Sequence, residues 1–244
     1  MDVPLKPYKR EFDHSYALGV FPTLELVEAQ PRHVLKVLVS SKGERNEGLR
    51  KLERLCERAG IRLETNDRAV ERLAQKENTF AVGVFRKYAS GLQAASNHIV
   101  LVNPGDMGNL GTIARTMLGF AVADLAIVRP AADMFDPRVV RASMGAIFRL
   151  RCRYFDTFEQ YREEAGERSL YPFMTGGDLM LDKTAFNPPF SLIFGNESAG
   201  LPPEYRATGT PVTIRHTAQI DSLNLPMSVG IALYEATKHA ANFT

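Results

Sequence analysis

Apolar positions divide the chain into two successive series of strand-like and helix-like segments. In the first series, "HVLKVLVSS" (33–41) is short and β-branched. The following segment, 45–60, sets Leu49, Leu52, Leu55, Cys56 and Ala59 on one helical stripe. "IRLETN" (61–66) predicts a second strand, "DRAVERLAQK" (67–76) a second helix and "FAVGVF" (80–85) a third strand. "KYASGLQAASN" (87–97) is rich in Ser, Ala and Gly and weakly patterned, which predicts a linker. The alternation restarts with "HIVLV" (98–102), a glycine-containing loop and helix, and "ADLAIV" (123–128). "RLRCRYF", "LYPFMT", "SLIFG" and "VTI" follow, and a helix from about 225 to 241 closes the pattern. Strands alternating with helices point to a largely parallel sheet covered on both faces. The expected organisation is a small α/β domain over 1–92 and a parallel-sheet α/β domain over 93–244.

Composition narrows the class without choosing a function. The chain is 45% hydrophobic and 24% charged, as an ordinary globular protein is. No apolar run approaches the ~20 residues needed to span a membrane, and "MDVPLKPYKREFDHS" at the N-terminus contains no apolar signal-peptide core. The two cysteines, Cys56 and Cys152, lack metal-type spacing. They suit a reducing, cytoplasmic setting and argue against a disulfide framework. A net charge of +2 says little about partners, so a nucleic-acid surface would have to come from a local basic cluster.

In open α/β sheets ligands sit beyond the carboxyl ends of the strands, so the post-strand segments are the ones to read for chemistry. The first is "NPGDMGNLGTIARTMLG" (103–119). Its glycines outline a phosphate cradle, yet it has neither the Gly-x-Gly-x-x-Gly order nor a Gly-Lys-Ser/Thr. Asn109 is placed as the helix N-cap. Arg115, six residues on and nearly two turns later, is expected on roughly the same face. The second segment is "LIFGNESAGLP" (192–202), a strand running into Gly195, a polar Asn196–Glu197–Ser198 and Gly200. A strand-to-helix turn with Glu197 as an N-terminal charge explains it equally well. The third is "IRHTAQIDSLNLPMSVGIALYEA" (214–236). With Asn224 as cap and Pro226 in the first turn, capping alone accounts for Ser222 and Asn224.

Taken in order and together, the three segments resemble the signature motifs of the SpoU branch of the SPOUT RNA methyltransferases. These enzymes transfer a methyl group from S-adenosylmethionine to ribose 2′-hydroxyls. The first motif, Asn-x-Gly-x-x-x-Arg, is matched by Asn109, Gly111 and Arg115. The second, Gly-x-Glu-x-x-Gly after a strand, is matched by Gly195, Glu197 and Gly200. The third, Ser-Leu-Asn before a Gly-containing helix ending in Tyr-Glu, is matched by Ser222, Leu223, Asn224, Gly230, Tyr234 and Glu235. "RASMGAIFRL" (141–150) is similar to a recurring family segment, and the N-terminal unit resembles the small α/β substrate-binding domain many members carry. There are departures. Four residues separate Pro104 from Asn109, more than in the shortest versions. Ser198 stands where glycine is commonest, which speaks against a positive-φ turn there. Leu225-Pro226-Met227 replaces Val-Ser-Val.

The resemblance implies a deep C-terminal trefoil knot, a homodimer and S-adenosylmethionine as cofactor; no metal and no membrane partner are expected. Cofactor contacts fall to Gly195, Asn196, Gly200, Ile214 and Leu223, and the catalytic set is Asn109, Arg115, Glu197, Ser222 and Asn224. On this reading the Gly-rich loop does not hold a nucleotide; Asn109 and Arg115 face the RNA. A sulfonium already makes its methyl electrophilic, so alignment does much of the work. A guanidinium stays protonated. Arg115 is therefore read as a fork that fixes the substrate phosphate and stabilises the developing alkoxide. A phosphate, Glu197 or water takes the proton, while Ser222 and Asn224 orient the hydroxyl or brace Arg115.

RNA binding is expected along Arg138, Arg141, Arg149, Arg151 and Arg153, extended by Lys6, Lys9, Arg10, Arg32, Lys36 and Lys42. His14, His33, His98 and His239 are read as structural or surface residues, and Phe194 and Tyr234 as strand and helix core. Val229, Ala232, Leu233 and Ala236 suit either a dimer interface or the core. Ribosomal RNA is slightly favoured over transfer RNA. The competing readings are a base methyltransferase on the same scaffold, a catalytically inactive RNA-binding module and, more distantly, a Rossmann nucleotide enzyme.

Overall fold

The computed structural model describes residues 3–43, 46–74 and 79–239. They form two compact units: one runs to Tyr88 and adds Asp133–Arg149, and the other holds Ala89–Ala132 and everything from Leu150. The break between Tyr88 and Ala89 falls inside the expected linker. The stretch Asp133–Arg149, placed above in the second domain by its position along the chain, packs within the first unit.

The first unit is built from β1 (His14–Leu18), α1 (Val20–Ala29), β2 (Val34–Val39), α2 (Glu47–Ala59), β3 (Leu63–Thr65), α3 (Asp67–Ala74) and β4 (Ala81–Arg86). Its sheet order is β1-β4-β2-β3. β4 lies antiparallel to both β1 and β2, and only β2 and β3 are parallel. The sheet is thus mixed rather than largely parallel, because β4 returns between β1 and β2. Side-chain alternation sends Val37 and Val39 into one apolar cluster with α1 and α2, and Leu38 into another with α3. α2 begins at Asn46, whose side chain accepts from the Gly48 and Leu49 amides, and ends at left-handed Gly60. Leu49, Leu52 and Cys56 are buried while Ala59 is exposed, so the stripe is narrower than the periodicity predicts. Residues 75 and 76 of the expected second helix lie outside the described residues. The later stretch joins this core through Phe135 and Phe148, whose rings meet Phe85 edge-on at 5.6 and 5.1 Å.

In the second unit β5 (His98–Val102), α4 (Met107–Gly119) and β6 (Asp124–Val128) come first. The chain then forms α5 (Pro137–Ala142) in the first unit. It returns as β7 (Arg151–Phe155), α6 (Phe158–Ala165), β8 (Ser169–Pro172), β9 (Leu179–Met180), β10 (Phe190–Phe194), β11 (Val212–Thr213) and α7 (Leu225–Thr237). Residues 240 and 241 of the expected closing helix lie outside the described residues. The main sheet is parallel throughout, in the order β7-β6-β5-β10-β8. Every residue of β5, β6 and β10 is buried, as strands covered on both faces require. Val100, Val102, Ala126, Val128 and Ile193 face Phe158, Tyr161 and Tyr205. By alternation Ile99, Leu101, Leu125, Ile127 and Phe194 face the other side, and α7 packs against α4 and β10.

Polar side chains at the strand starts are paired. His98 is fully buried, with Nε2 2.9 Å from the Gln93 carbonyl and Nδ1 3.0 Å from the Tyr161 hydroxyl. Tyr161 in turn shares a hydrogen bond with Ser191. Burial pushes the imidazole pKa down to about 4. Cys56 and Cys152 are buried free thiols. No helix among the described residues is long and apolar enough to cross a membrane.

Candidate functional site

The loop after β5 turns sharply. Asn103 adopts a left-handed φ of 55°, and Asp106, not Asn109, caps α4, its side chain accepting from the Asn109 amide at 2.7 Å. Asn109 is displaced into the first turn by the extra residues after Pro104. Its side chain is thereby released from capping, and its Nδ2 donates to Glu197 Oε1 at 3.3 Å. Arg115 is exposed on α4, and no hydrogen-bond or ion-pair partner holds it among the described residues. Six residues advance a helix by about 600°, roughly 120° short of two turns. Asn109 and Arg115 therefore do not share a face.

The loop after β10 closes on itself: Asn196 and Gly200 exchange backbone hydrogen bonds at 3.2 and 2.9 Å. Gly200 takes the positive φ, 69°, so Ser198 is free to stand where it does. The Asn196 carboxamide oxygen accepts from the Ser198 and Ala199 amides. A Cβ on Gly195 would lie 2.0 Å from the Gly200 carbonyl carbon, which bars every other residue from that position. The closed loop presents Glu197 to the α4 entrance. Its carboxylate accepts from the Gly105 and Asp106 amides at 3.2 Å each, and from Asn109 and Asn196 at 3.3 Å each. Asn196 also donates to the Asn103 carbonyl at 2.9 Å. Two segments some ninety residues apart in sequence are stitched together, and the acceptor capacity of Glu197 is largely used in doing so.

Beside this seam is a cavity of about 340 Å³. All five residues expected to contact a cofactor (Gly195, Asn196, Gly200, Ile214 and Leu223) line it, as do Glu197 and Ser222. Asn109 reaches it through Glu197, whereas Asn224 and Arg115 are not in the lining. Asn224 occupies the α7 N-cap position, yet its side chain makes no capping bond; only its carbonyl accepts, from Ser228. Phe173, His216 and Asp221 also line the cavity; none of them is among the expected site residues, although His216 and Asp221 lie within the third segment. Phe173 directly follows the carboxyl end of β8, so the post-strand rule would have found it. His216 Nδ1 is 2.9 Å from the Ile214 carbonyl, which fixes the ring within the wall.

The basic cluster is largely neutralised. Arg138 pairs with Asp136, Arg149 with Glu25 and Glu28, Arg151 with Asp124 and Arg153 with Glu164. Arg138, Arg141 and Arg149 belong to the first unit, Arg151 and Arg153 to the second. Arg141 is exposed and has no carboxylate partner among the described residues. Of the further cations, Lys6, Lys9, Arg10 and Arg32 are exposed and Lys42 pairs with Glu71 at 2.6 Å. Lys36, expected to meet RNA, is buried in β2. Tyr234, expected in the helix core, is 60% exposed, while Phe194 is buried as expected.

A parallel α/β unit with two stitched post-strand loops beside a ligand-sized cavity matches a known family. The chain belongs to the SpoU rRNA methylase family, whose model matches residues 96–234. Over 143 residues (57% of the chain) it is 32% identical to an uncharacterized tRNA/rRNA methyltransferase of Synechocystis sp.. It is 29% identical over 148 residues, again 57% of the chain, to the 23S rRNA (uridine(2479)-2'-O)-methyltransferase of Streptomyces viridochromogenes. These matches span about half of each relative, 52% in both cases. The AdoMet-bound rRNA methyltransferase from Sinorhizobium meliloti superposes with a TM-score of 0.78 at 25% identity, covering 93% of this chain and 88% of that one.

Proposed function

We propose that this chain transfers a methyl group from S-adenosylmethionine to a ribose 2′-hydroxyl of structured RNA, with ribosomal RNA slightly favoured over transfer RNA. The observation that carries the reading is the Glu197 seam. It brings the Asn109 segment to the rim of a cavity lined by the other two motifs. The cavity volume falls in the range of small-molecule sites, and its lining mixes apolar walls with backbone around Gly195, Ile214 and Leu223 suited to an adenosine. Relatives named for ribosomal and transfer RNA methylation support the substrate class.

When bound, the cofactor supplies a methyl group made electrophilic by its sulfonium. The chain's own residues must then place and deprotonate the hydroxyl. Glu197, engaged by four donors, serves as the clamp that sets Asn109 rather than as the proton acceptor. The exposed, permanently charged Arg115 is suited to hold the phosphate beside the reacting ribose. That phosphate or a water takes the proton. Ser222, exposed at the rim, orients the hydroxyl.

Two structural elements complete the reading. A C-terminal trefoil knot is supported by β10 lying between β5 and β8 while the chain after it returns through 212–223 to α7. A homodimer is supported by the exposed stripe Met227, Ile231 and Tyr234 on α7. The test is the acceptor atom. Ribose methylation mapped with and without the gene identifies the target nucleotide, and that RNA should then accept a methyl in vitro and resist alkaline cleavage at that site. The same RNA lacking the one 2′-hydroxyl should accept none; methylation of it at the normal rate would overturn the assignment.

A further inference from the structure

We infer that Phe173 is the platform on which the adenine of the cofactor stacks. The inference rests on the methyltransferase reading above. Phe173 belongs to none of the three motifs, yet it lines the cavity. Its backbone is pinned on two sides: the amide donates to the Ile193 carbonyl at 2.8 Å, and the residue bridges Val212 of β11. Its ring lies on that of Phe194, with centroids 4.6 Å apart and planes 16° from parallel. Phe194 is 2% exposed and part of the core, so one face of the Phe173 ring is backed by fixed structure. The ring is only half-buried, and two stacked rings offer a third flat ring a pre-ordered surface.

Polarity across the cavity selects the occupant. The lining carries polar side chains, Asn196, Glu197 and Ser222 among them, with Asn109 joined through Glu197, and an apolar set of Phe173, Phe194, Leu201 and Val212; the reacting methyl belongs with the polar set. The charged amino and carboxylate groups of the methionine part would be costly against the dry wall of Phe173, Phe194, Leu201 and Val212. Adenine, with two π-faces and no charge, is the portion that fits it.

The test is equilibrium binding of three ligands to the full chain: S-adenosylmethionine, S-adenosylhomocysteine and 5′-methylthioadenosine. Phe173→Ala should weaken all three by the same factor, about tenfold, since base–aromatic stacking is the shared contact. Phe173→Tyr should bind within about threefold of the wild type. Phe173→Leu, which keeps apolar volume over Phe194 but loses the π-face, should unfold near the wild-type temperature and still bind all three ligands more weakly. An unchanged methylthioadenosine affinity in Phe173→Leu overturns the inference. A loss confined to S-adenosylmethionine also does so, because it reports a cation–π contact with the sulfonium instead. A loss seen only as a raised KM for RNA reassigns the ring to the target base. If the wild type binds none of the three, the methyltransferase reading itself falls and the inference with it.

Discussion

Single side chains in this protein are placed by their hydrogen bonds more than by their motif positions. Asn109 looks like a cap in the sequence, but Asp106 takes that role and leaves Asn109 for Glu197. His98 shows the same logic with an energetic consequence. Its Nε2 is 2.9 Å from the Gln93 carbonyl and its Nδ1 is 3.0 Å from the Tyr161 hydroxyl, so both ring nitrogens are satisfied with the ring neutral. Burial holds its pKa at about 4, whereas an unfolded histidine titrates near 6.5. Between those values the unfolded chain binds the extra proton, so His98 lowers stability as pH falls from about 6.5 to 4, by about 3 kcal/mol across the window. Urea unfolding measured over that range should show the slope, and His98→Gln should flatten it while being less stable at pH 7. An unchanged slope in the variant would show that other groups govern the acid limb.

At the level of elements, α7 divides its surface unequally. Val229, Ala232 and Leu233, which the sequence left open between core and interface, are fully buried within their own unit. Met227, Ile231 and Tyr234 recur at spacings of four and three on one stripe, exposed at 60%, 38% and 60%. This stripe is the surface proposed above for the homodimer contact. If it is the homodimer contact, Met227→Glu combined with Ile231→Glu should sediment as a monomer at micromolar concentration. Its unfolding temperature should fall modestly and cease to depend on protein concentration, because the stabilisation from association is lost while neither side chain is in the core; cofactor binding should persist while methyl transfer is lost. A double variant that sediments like the wild type would place the interface elsewhere. The sequence made most elements legible where period and burial agree: fully buried β5, β6 and β10 read as continuous apolar runs, and α2 as a clear stripe. β1 and α1 were missed because "HSYAL" is short and Pro22 and Thr23 interrupt the α1 pattern. α6 was missed although Phe158, Tyr161 and Ala165 carry the right spacing. The cavity was legible through its glycines and Glu197. Phe173 was legible only as a residue that follows a strand; its place in the cavity comes from the return of β8 beside β10.

The whole molecule departs most from a linear reading in the stretch 133–149. Phe135, Val139, Val140, Ile147 and Phe148 are all buried, and the stretch forms part of the first unit. A second unit cut simply at residue 89 would therefore carry a long insertion whose apolar side chains have lost their core. Such a fragment is expected to self-associate and to bind a hydrophobic dye, whatever its cofactor affinity. Replacing 133–149 by a Gly/Ser linker of about twelve residues meets the length a crossover between parallel neighbours needs, here β6 and β7. The linker-bearing fragment should be dispersed, unfold cooperatively and bind S-adenosylhomocysteine within about threefold of the full chain, while its affinity for substrate RNA falls at least tenfold. Loss of cofactor binding in that well-folded fragment would mean the cavity depends on the first unit. Undiminished RNA binding would instead remove the first unit from substrate recognition.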